Sequence, residues 1–492
     1  MDLWIFIINV FLFSLSVAYL FVKRRFSYWN RREIPHDKPC FPGGNVKPNC
    51  HINESIRQNY FKFKETGPFG GFFMNLQPAV VVYDLDLIKN ILVKDFHNFT
   101  ERGLFHNEKD DPLSGNLFRL DETKWKHFRS QLSPSFSGIR MKDMFLTIVS
   151  IGQNLVETFD DIVDVPSTVV EMNEIIARYV TDVNGNCVFG LDCNSLNDKN
   201  ADFFRTVKDM PGLKLHSKLV SILISSFPKL AQKLRMRITH EDLHNFFLRI
   251  VRETIKYREK NSVKRNDFLN LMIELKNIDA DLSLGKIAGQ TFAYFFAGYE
   301  NSTAAIGLTL YELALNEDIQ DKLRAEIVNR MEKHRQRLTF ECMMEMKYLK
   351  KVVKESLRKY PIVPFLLRLA KNDYPTSDPK YTIPKGTIVI IPTDAIQNDP
   401  DVYVDSEQFD PERFRPEEVQ LRNTTTWLPF GEGPRHCIGL RFAKMQIYVA
   451  LILLLKNYKF YSCLKTKNPV EWDPKKKVLG AKDGIFLHVE HI

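Results

Sequence analysis

The sequence predicts a mainly α-helical globular protein with a small β region, preceded by one membrane helix. Three observations predict this fold class. From about residue 121 to 360, apolar residues recur every three or four positions, as in amphipathic helices, whereas strand-like runs occur only in short pieces. An uncharged run of 20 residues opens the chain. The composition, 44% hydrophobic and 26% charged, is typical of an ordered protein and excludes a largely disordered chain.

The opening run, residues 3–22, is long enough to cross a membrane as a helix. Its 20 residues, at ~1.5 Å each, span the ~30 Å hydrocarbon core of a bilayer. Basic residues follow the run in Lys23, Arg24 and Arg25 instead of preceding it, which argues against a cleaved signal peptide. Positive charge at this end places the rest of the chain on the cytosolic side. We therefore expect an N-terminal membrane anchor over residues 1–25.

The rest of the chain is predicted to be a short hinge followed by one large domain. A stretch rich in proline and glycine predicts a stiff hinge over residues 26–45. Beyond it, neither a linker nor a repeat of 20 to 50 residues is visible in the sequence, so residues 46–492 are expected to form a single catalytic domain. The net charge of +9 contains no basic block of the kind that binds nucleic acid, so we expect no nucleic-acid partner.

Local patterns predict the individual elements of this domain. Aromatic and β-branched residues predict a hairpin over residues 72–83 with its turn at Gln77 and Pro78, and a helix over residues 84–94. The other predicted elements are two short strands, at 381–383 and 387–391, and two helices, at 287–310 and 442–455.

The strongest functional signal is a cysteine in a glycine-rich loop, 430-FGEGPRHCIGLRFAKMQ-446. An isolated cysteine is most often a small buried hydrophobic residue. Cys437, however, lies just before an apolar helix, where the helix dipole lowers the pKa of a thiol and favours the thiolate. Gly439 allows a backbone to approach a flat ligand, and Arg435 is suited to bind a carboxylate. A thiolate beside an anion-binding arginine suits a haem iron and its propionates.

This loop resembles the haem-binding loop F-x-x-G-x-R-x-C-x-G of cytochrome P450 monooxygenases, with Phe430, Gly433, Arg435, Cys437 and Gly439 at the five fixed positions. The resemblance runs from about residue 30 to the end, and several stretches look closest to the insect microsomal enzymes of family six. It implies the cytochrome P450 fold, with haem b buried between a long helix, the I-helix, and the cysteine loop (residues 430–439). The other family motifs follow in order: Trp125-x-x-x-Arg129, 297-AGYENS-302, Glu355-x-x-Arg358, Arg368 and 411-PERF-414.

The resemblance implies roles for two groups of residues. Cys437 would be the axial ligand of the haem iron. Without the resemblance, Trp125 and Arg129 would fit an ordinary amphipathic helix, and Glu355 and Arg358 a solvated surface pair. The implied cofactor-binding residues are Trp125, Arg129, Arg368, Phe430, Arg435, Cys437 and Gly439. The implied buried triad that supports the cysteine loop is Glu355, Arg358 and Arg413.

The predicted helix 287–310 departs from the family at one position. Small residues and an acid, including Ala297 and Glu300, recur there at three- and four-residue spacing and are expected on one face. The family usually has a threonine after the acid, whose hydroxyl helps to deliver protons. This chain has Asn301, and an amide cannot relay a proton through a rotating hydroxyl. The candidate catalytic residues are Glu300, Asn301, Ser302 and Thr303.

Three functions stay open at this point. The favoured one is an NADPH- and O₂-dependent monooxygenase that oxidises lipophilic small molecules, either xenobiotics or endogenous lipids and hormones, because the other motifs are intact. A haem-thiolate isomerase or dehydratase that acts on a hydroperoxide without a reductase is the second. A membrane-tethered protein that binds haem or a ligand without turnover is the third.

The expected partners follow from what the chain lacks and from the resemblance. The sequence shows no glycine-rich dinucleotide fingerprint. Electrons are therefore expected from a separate NADPH-dependent flavoprotein reductase of the endoplasmic-reticulum membrane, with a small haem electron-transfer cytochrome as a further candidate. Basic residues placed by the family near the docking face, which otherwise fit a solvated surface, are Lys124, Lys126, Lys351, Lys354, Arg441 and Lys444.

Phenylalanine is in excess, with 37 residues against 17 tyrosines, and predicts a pocket for a bulky apolar substrate. The apolar stretch 216–230 is expected either to touch the membrane surface or to form a core helix. The segments expected to line the pocket are 103–118, part of 203–228, 292–296, 362–366 and 482–486. The phenylalanines expected there are Phe105, Phe118, Phe292, Phe295, Phe296, Phe365 and Phe486.

Overall fold

The structure is a computed structural model and describes residues 2–163, 168–210, 215–279 and 281–492. Helices dominate the described ranges, as the sequence predicts. The helices are α1 (Asp2–Phe26), α2 (Ile52–Phe63), α3 (Leu85–Lys89), α4 (Glu122–Leu132), α5 (Gly138–Ile162), α6 (Met172–Asn184), α7 (Asp202–Asp209), α8 (Lys218–Ser226), α9 (Pro228–Lys233), α10 (Glu241–Asn261), α11 (Phe268–Lys276), α12 (Leu284–Leu315), α13 (Glu317–Lys333), α14 (Phe340–Glu345), α15 (Lys347–Lys359), α16 (Thr393–Gln397), α17 (Pro416–Leu421) and α18 (Leu440–Asn457).

The β structure is small and split into three sheets. The strands are β1 (Phe69–Met74), β2 (Gln77–Val82), β3 (Thr168–Glu171), β4 (Leu366–Leu369), β5 (Tyr374–Pro375), β6 (Thr382–Ile383), β7 (Ile388–Ile391), β8 (Tyr458–Tyr461) and β9 (Phe486–His491). Their orders are β1-β2-β7-β4, β3-β9-β8 and β5-β6. In the largest sheet β2 runs parallel to β7, with Val80 opposite Val389, and the other neighbours are antiparallel.

The predicted hairpin exists, but its predicted turn is wrong. Gln77 and Pro78 are the first residues of β2, and the chain reverses at Asn75 and Leu76. Asn75 has a φ of 59°. Asparagine tolerates this left-handed region, whereas proline is locked near −65°. Asn75 therefore occupies the tight turn, and Pro78 pairs with Phe73 of the neighbouring strand.

Two apolar cores organise the protein. The larger one is built around α5, α6, α12 and α18, and the smaller one around the four-stranded sheet. The side chain of Ser283 caps the start of α12 by accepting a hydrogen bond from the N–H of Lys286. The helix then continues for 32 residues to Leu315. Because α12 packs against α6, α10 and α18, it crosses the middle of the larger core.

The N-terminal helix α1 is apolar, and it touches the smaller core at its C-terminal end, where Phe26 packs against Phe73. Its most apolar window has a mean hydropathy of 2.5, and none of that window is buried in the protein. Basic residues Lys23, Arg24 and Arg25 fill its last turn. This helix is long and apolar enough to cross a membrane, as the sequence predicts.

The segment predicted as a hinge packs against β1. Trp29 is fully buried, and its indole Nε1 donates a hydrogen bond to the carbonyl of Phe72 at 3.0 Å. A Cβ on Gly71 would lie 2.6 Å from the indole ring, so only glycine lets the strand pass this close. The Nε of Arg25 also donates to the carbonyl of Leu76 at 3.0 Å. This part of the segment is held, while the domain bounds 1–25, 26–45 and 46–492 stay predictions.

We expect Trp29→Ala to lower the free energy of unfolding by about 3–5 kcal/mol, because it removes a buried ring and leaves a cavity against Gly71. Chemical denaturation of the full chain in detergent, followed by circular dichroism, measures the change. Leu421→Ala is the control, since Leu421 is 85% exposed and a surface substitution of this kind shifts stability by no more than about 0.5 kcal/mol. An effect of Trp29→Ala no larger than the control would contradict the packing described.

Candidate active site

A cavity of about 280 Å³ lies between α12 and the cysteine loop. Most of its wall is apolar, and the polar groups are gathered in a few positions. The α12 part of the wall is Gln290, Ala293, Tyr294, Ala297, Gly298, Asn301, Ser302 and Ala305. The cysteine loop contributes Phe430, Gly431, Arg435, His436, Cys437, Ile438 and Gly439. The motif residues Trp125, Arg129 and Arg368 also reach the wall.

Backbone geometry fixes the shape of the cysteine loop. The N–H of Cys437 donates to the carbonyl of Phe430 at 2.8 Å, which closes the loop on itself. Gly431 and Gly433 have φ values of 67° and 74°, in the left-handed region that favours glycine. A Cβ on Gly433 would lie 1.9 Å from the carbonyl oxygen of Leu92. The motif glycine at 433 is thus required both by its φ and by the close passage of a second chain segment.

The expected lowering of the Cys437 pKa is wrong for the protein by itself. The side chain is accessible at the cavity surface but lies deep among protein atoms, and this burial raises the pKa of the thiol. A hydrogen bond from Gly439 and the charges of Arg129 and Arg102 act in the opposite direction without overcoming it. Desolvation therefore outweighs the helix end. A cation bound to the sulfur would supply the missing stabilisation, since coordination deprotonates a thiol.

Four arginines converge on the cavity: Arg102, Arg129, Arg368 and Arg435. Burial lowers the pKa of each, to about 10 for Arg102 and about 9 for Arg435. Repulsion between them adds to the effect, because Arg102 and Arg435 lower the pKa of Arg368. Four guanidinium groups around one apolar cavity form a strongly anion-seeking wall.

Carbonyl groups hold these arginines in place. Arg435 donates from Nη2 to the carbonyl of Leu120 at 2.8 Å, and its guanidinium lies 4.3 Å from the ring centre of Trp125. Arg129 donates to the carbonyl of His436 at 3.0 Å, and its Nη2 lies 3.3 Å from His436 Nε2. Arg368 donates to the carbonyl of Leu367 at 2.8 Å. The aromatic ring and the carbonyls orient the guanidinium groups without neutralising them.

The residues present fit a haem group. Within the described residues, the buried Nε and Nη1 of Arg435 and the buried Nε of Arg368 have no hydrogen-bond partner. Buried polar groups normally have one, so an anionic group is expected to satisfy them, as two propionates would. The thiol of Cys437 lies on the same wall, and the small residues Ala297 and Gly298 leave space on α12. A sulfur ligand, anion-binding donors and an apolar enclosure are thus gathered in one cavity.

The structure brings two of the four candidate catalytic residues to the cavity. Asn301 and Ser302 lie on the wall. The Nδ2 of Asn301 donates to the carbonyl of Ala297 at 2.8 Å, which leaves its buried Oδ1 without a partner among the described residues. The Oγ of Ser302 accepts a hydrogen bond from Gln446 Nε2 at 2.6 Å. Asn301 therefore offers an acceptor, whereas the Ser302 hydroxyl is directed to α18.

Glu300 and Thr303 are absent from the wall as far as the described residues define it. The single face expected from the three- and four-residue spacing is therefore only partly right, because Ala297 lies on the described wall and Glu300 does not. Burial raises the pKa of Glu300, and the charges of Lys476 and Lys477 oppose the shift. Thr303 Oγ1 is buried without a partner in the described chain.

The predicted triad exists, and its Glu355–Arg358 pair is fully buried, whereas the Arg413 side chain is 13% exposed. Arg358 donates to Glu355 twice, from Nε at 2.7 Å and from Nη2 at 2.9 Å. Both side chains are 0% exposed. Arg413 Nε lies 3.4 Å from Glu355 Oε1, and the N–H of Asp410 donates to the same oxygen at 3.0 Å. Burial raises the pKa of Glu355, and the arginines act against that rise.

Three hydrogen bonds, two of them made by Gln397, connect α15 to the segment that enters the cysteine loop. The Nε2 of Gln397 donates to the carbonyl of Arg358 at 3.0 Å, and its Oε1 accepts from the N–H of Leu428 at 2.7 Å. The indole of Trp427 donates to the carbonyl of Lys354 at 3.2 Å. The chain segment entering the cysteine loop is thus attached to α15, which carries Glu355 and Arg358 of the triad.

Sequence reasoning missed two of these residues. Arg102 donates to the carbonyls of Phe118 and Arg435, at 2.9 and 3.3 Å. It belongs to no motif and lies outside the helix of Trp125 and Arg129, so no spacing could have indicated it. Gln397 follows the predicted strand 387–391, and only its burial, at 0% exposure, reveals its role.

The prediction for the pocket phenylalanines is only partly right. Of the seven expected, the described wall contains Phe118. Phe295 instead packs among other aromatic rings, with centroids 6.0 Å from Phe189 and 5.3 Å from Phe203. A helix exposes neighbouring residues to different surroundings, so a cluster in sequence is not a cluster in the cavity. The phenylalanines on the wall are Phe118, Phe136, Phe268, Phe430 and Phe442.

Comparison with known proteins agrees with this geometry. The family model described as Cytochrome P450 matches residues 40–488. The chain belongs to the cytochrome P450 family. Cytochrome P450 6a8 of Drosophila melanogaster is 44% identical over 501 residues, covering 98% of this chain and 99% of that protein. The probable cytochrome P450 6a20 of the same fly is 43% identical over 484 residues, covering 96% and 97%. Cytochrome P450 6A1 of Musca domestica is 41% identical over 490 residues, covering 97% and 96%.

Family membership confirms several predictions. The chain is a P450 monooxygenase of the insect family six, as the motifs predicted. The P450 family carries a cysteine-ligated haem, which agrees with the predicted cofactor. As this P450 is an enzyme, the alternative of a binding protein without turnover is set aside.

We expect Glu355→Ala to lower the free energy of unfolding by about 3–5 kcal/mol, because it leaves the buried Arg358 without its counter-charge. The same change should prevent haem incorporation by loosening the attachment at Leu428. Denaturation curves and the haem-to-protein absorbance ratio measure the two effects.

Asp202→Ala is the matched control for Glu355→Ala. Asp202 also pairs with an arginine three residues on, Arg205 at 2.9 Å, but the two side chains are 89% and 68% exposed. Such an exposed pair contributes no more than about 1 kcal/mol. A Glu355→Ala protein with normal haem content and stability would contradict the supporting role of the triad.

Proposed function

We propose that this P450 is an NADPH- and O₂-dependent monooxygenase of lipophilic small molecules, in which the sulfur of Cys437 would bind the haem iron. One oxygen atom enters the substrate and the other leaves as water, with two electrons from NADPH and protons from solvent. The observation that carries the proposal is that Cys437, Arg435 and Arg368 meet on one mostly apolar wall. When bound, the haem supplies oxygen activation, and the thiolate favours O–O cleavage.

The remaining wall residues receive complementary roles. Arg102, Arg129, Arg368 and Arg435, together with the indole of Trp125, bind the propionates and thereby neutralise the cationic wall. Phe430 and Gly439 shape the loop around the sulfur. The apolar lining excludes water and binds the hydrocarbon part of a substrate. A mostly apolar wall with few polar groups favours a lipophilic substrate over a charged one.

Asn301 is the residue that we propose organises water for proton delivery. Its Nδ2 is already bonded to the carbonyl of Ala297, so its Oδ1 is free to accept a hydrogen bond from a water. An amide holds such a water but does not exchange a proton itself. Protons would therefore pass along water, and the side chain would fix where that water stands. Glu300 lies one residue earlier, off the wall, and would act at longer range.

The electron-donating partner is proposed to dock on a basic face beside the cysteine loop. Lys354 and Lys444 have no acidic side chain within ion-pair distance among the described residues. Burial lowers the pKa of Lys444, and the charges of Lys354 and Lys350 lower it further. Lys444 lies 5.5 Å from the ring centre of Phe430, close to the loop. This uncompensated charge suits the acidic surface of a flavoprotein reductase or a small haem cytochrome.

The other residues suggested for docking differ in their pairing. Lys124, Lys126 and Lys351 each pair with a glutamate of this chain, all at 2.7 Å. Their charge is therefore partly used within the protein, whereas the charge of Arg441 has no such partner in the described chain. We place the centre of the docking surface at Lys354, Arg441 and Lys444.

The proposed location is the endoplasmic-reticulum membrane, with the catalytic domain on the cytosolic face. The apolar α1 and the basic residues after it support this orientation. A second contact is supported by α8 and α9, where Leu219, Leu223 and Leu230 are more than half exposed. Phe227, between these two helices, lies 6.1 Å from Phe21 of α1, ring centre to ring centre. Both apolar surfaces therefore lie on the same side of the protein.

Holoenzyme supplied with NADPH, a flavoprotein reductase and oxygen is expected to dealkylate a lipophilic alkoxycoumarin, consuming NADPH in proportion to substrate. Fluorescence of the released phenol and NADPH absorbance measure the reaction. Cys437→Ser should abolish turnover and the red-shifted carbon-monoxide band of thiolate-ligated haem, while Cys463→Ser, which alters a cysteine away from the wall, should retain both. Turnover of an organic hydroperoxide alone, without NADPH-dependent oxidation, would instead indicate the isomerase or dehydratase.

Asn301→Leu is expected to lower the product formed per NADPH by about 5–10-fold, because the water that delivers protons loses one hydrogen bond, worth about 1 kcal/mol. The product formed per NADPH by Asn301→Thr should stay within about threefold of the native value, since threonine keeps a polar group at the same position. Thr303→Val is the control, because it removes a hydroxyl that lies off the wall. A large gain in coupling for Asn301→Thr would show that Asn301 impairs the chemistry.

A further inference from the structure

One side chain of α12 binds the backbone of a neighbouring segment instead of its own helix. Gln290 is 2% exposed and lies on the cavity wall. Its Oε1 accepts from the N–H of Leu117 at 2.9 Å, and its Nε2 donates to the carbonyl of Gly115 at 3.2 Å. Both ends of the amide are therefore used by the segment 112–118, which crosses α12 at this point.

The same segment touches α12 at backbone distance. A Cβ on Gly289 would lie 2.6 Å from the carbonyl oxygen of Pro112. The absence of a side chain at Gly289 lets the segment come close enough for the Gln290 amide to reach it. The contact is thus built by two adjacent residues, one giving space and the other giving hydrogen bonds.

The segment carries part of the cavity wall. Leu117 and Phe118 line the cavity. The carbonyl of Phe118 also accepts the hydrogen bond from Arg102, and its ring lies 4.3 Å from that guanidinium. A displacement of Leu117 would therefore move both an apolar surface that faces a substrate and the support of an arginine.

On its outer side the segment is attached to the chain before α10. Asp111 is fully buried, and its Oδ2 accepts from the N–H groups of Ile238 and Thr239 at 2.9 and 3.0 Å. The segment is thus held from two sides, by Asp111 outside and by Gln290 inside. Only the inner attachment faces the cavity.

We propose that Gln290 is a specificity-determining positioning residue, which holds Leu117 and Phe118 against α12 and so limits the size of ligand that the cavity accepts. The inference rests on the proposed function only in that the ligand is a substrate of this haem site. A glutamine is suited to the role, because a buried amide that loses its partners is costly, whereas both of its ends are satisfied in this single position.

Hydrogen exchange and azole binding test the proposal without requiring turnover. In Gln290→Met, which keeps the side-chain length but forms neither bond, we expect the Leu117 amide of the holoenzyme to exchange about 5–10 times faster, the factor that one ordinary hydrogen bond contributes. The ratio of the dissociation constants of clotrimazole and imidazole, read from the haem spectrum, should fall by a similar factor, because a looser wall admits the bulky azole. Gln290→Glu, which keeps an acceptor for the Leu117 N–H, should restore most of the protection.

Gln320→Met is the matched control. Gln320 is also fully buried and bonds backbone groups, donating to the carbonyls of Leu313 and Phe460 at 2.9 and 2.8 Å, but away from the cavity wall. It should leave the azole ratio and the exchange of Leu117 at the native values. Native exchange and a native azole ratio in Gln290→Met would overturn the proposal. Because neither readout uses NADPH, oxygen or the reductase, this failure is distinguishable from failure of the proposed monooxygenase reaction.

Discussion

Concentration of positive charge around a mostly apolar cavity is the constraint on which this structure depends. Placing Arg102, Arg368 and Arg435 together removes water from their charges. Each charge buried without compensation costs on the order of several kcal/mol of solvation free energy. The depressed pKa values of these arginines express that cost. A dianionic cofactor removes it, so its binding free energy is also folding free energy. The protein without haem should accordingly be the less stable form, in the way that metal-binding domains depend on their ion.

The same constraint explains how the cysteine loop is supported. A loop that must present a sulfur beside strongly repelling charges cannot be left free to move. Gln397 and Trp427 attach the segment before the loop to α15. The lack of a side chain at Gly433 lets the loop itself pass directly against Leu92. The triad residues Glu355, Arg358 and Arg413 do not line the described cavity, so the triad acts through this attachment. Its buried carboxylate and two arginines are thus part of the positioning of the sulfur.

The sequence predicted the parts of the site that are read from fixed spacing. Cys437, Arg435 and Trp125 belong to local motifs and lie on the cavity wall, and the glutamate–arginine pair of another motif is bonded as a pair. The long helix and the helix after Cys437 were predicted from periodicity, within a few residues of α12 and α18. These successes depend on signals that extend over a single element.

The failures depend on contacts between elements. The net direction of the Cys437 pKa is decided by the atoms that bury it, and these come from distant segments. Arg102 joins the arginine cluster through a hydrogen bond to the carbonyl of Arg435, which lies more than 300 residues away in the chain. The place of the tight turn at Asn75 depended on which residue adopts a positive φ, and the proline drew attention to the wrong pair. Burial and long-range contact leave no periodic trace in a sequence.

The packing of Trp29 also affects the protein on a larger scale. A free joint at this position would leave the orientation of α1 relative to the rest of the protein undefined. The indole locked on Gly71, with Arg25 bonded to Leu76, instead transmits the tilt of α1 to the four-stranded sheet. The four-stranded sheet is therefore fixed in orientation relative to α1, and each surface of the protein would face one constant direction relative to any membrane that α1 spans.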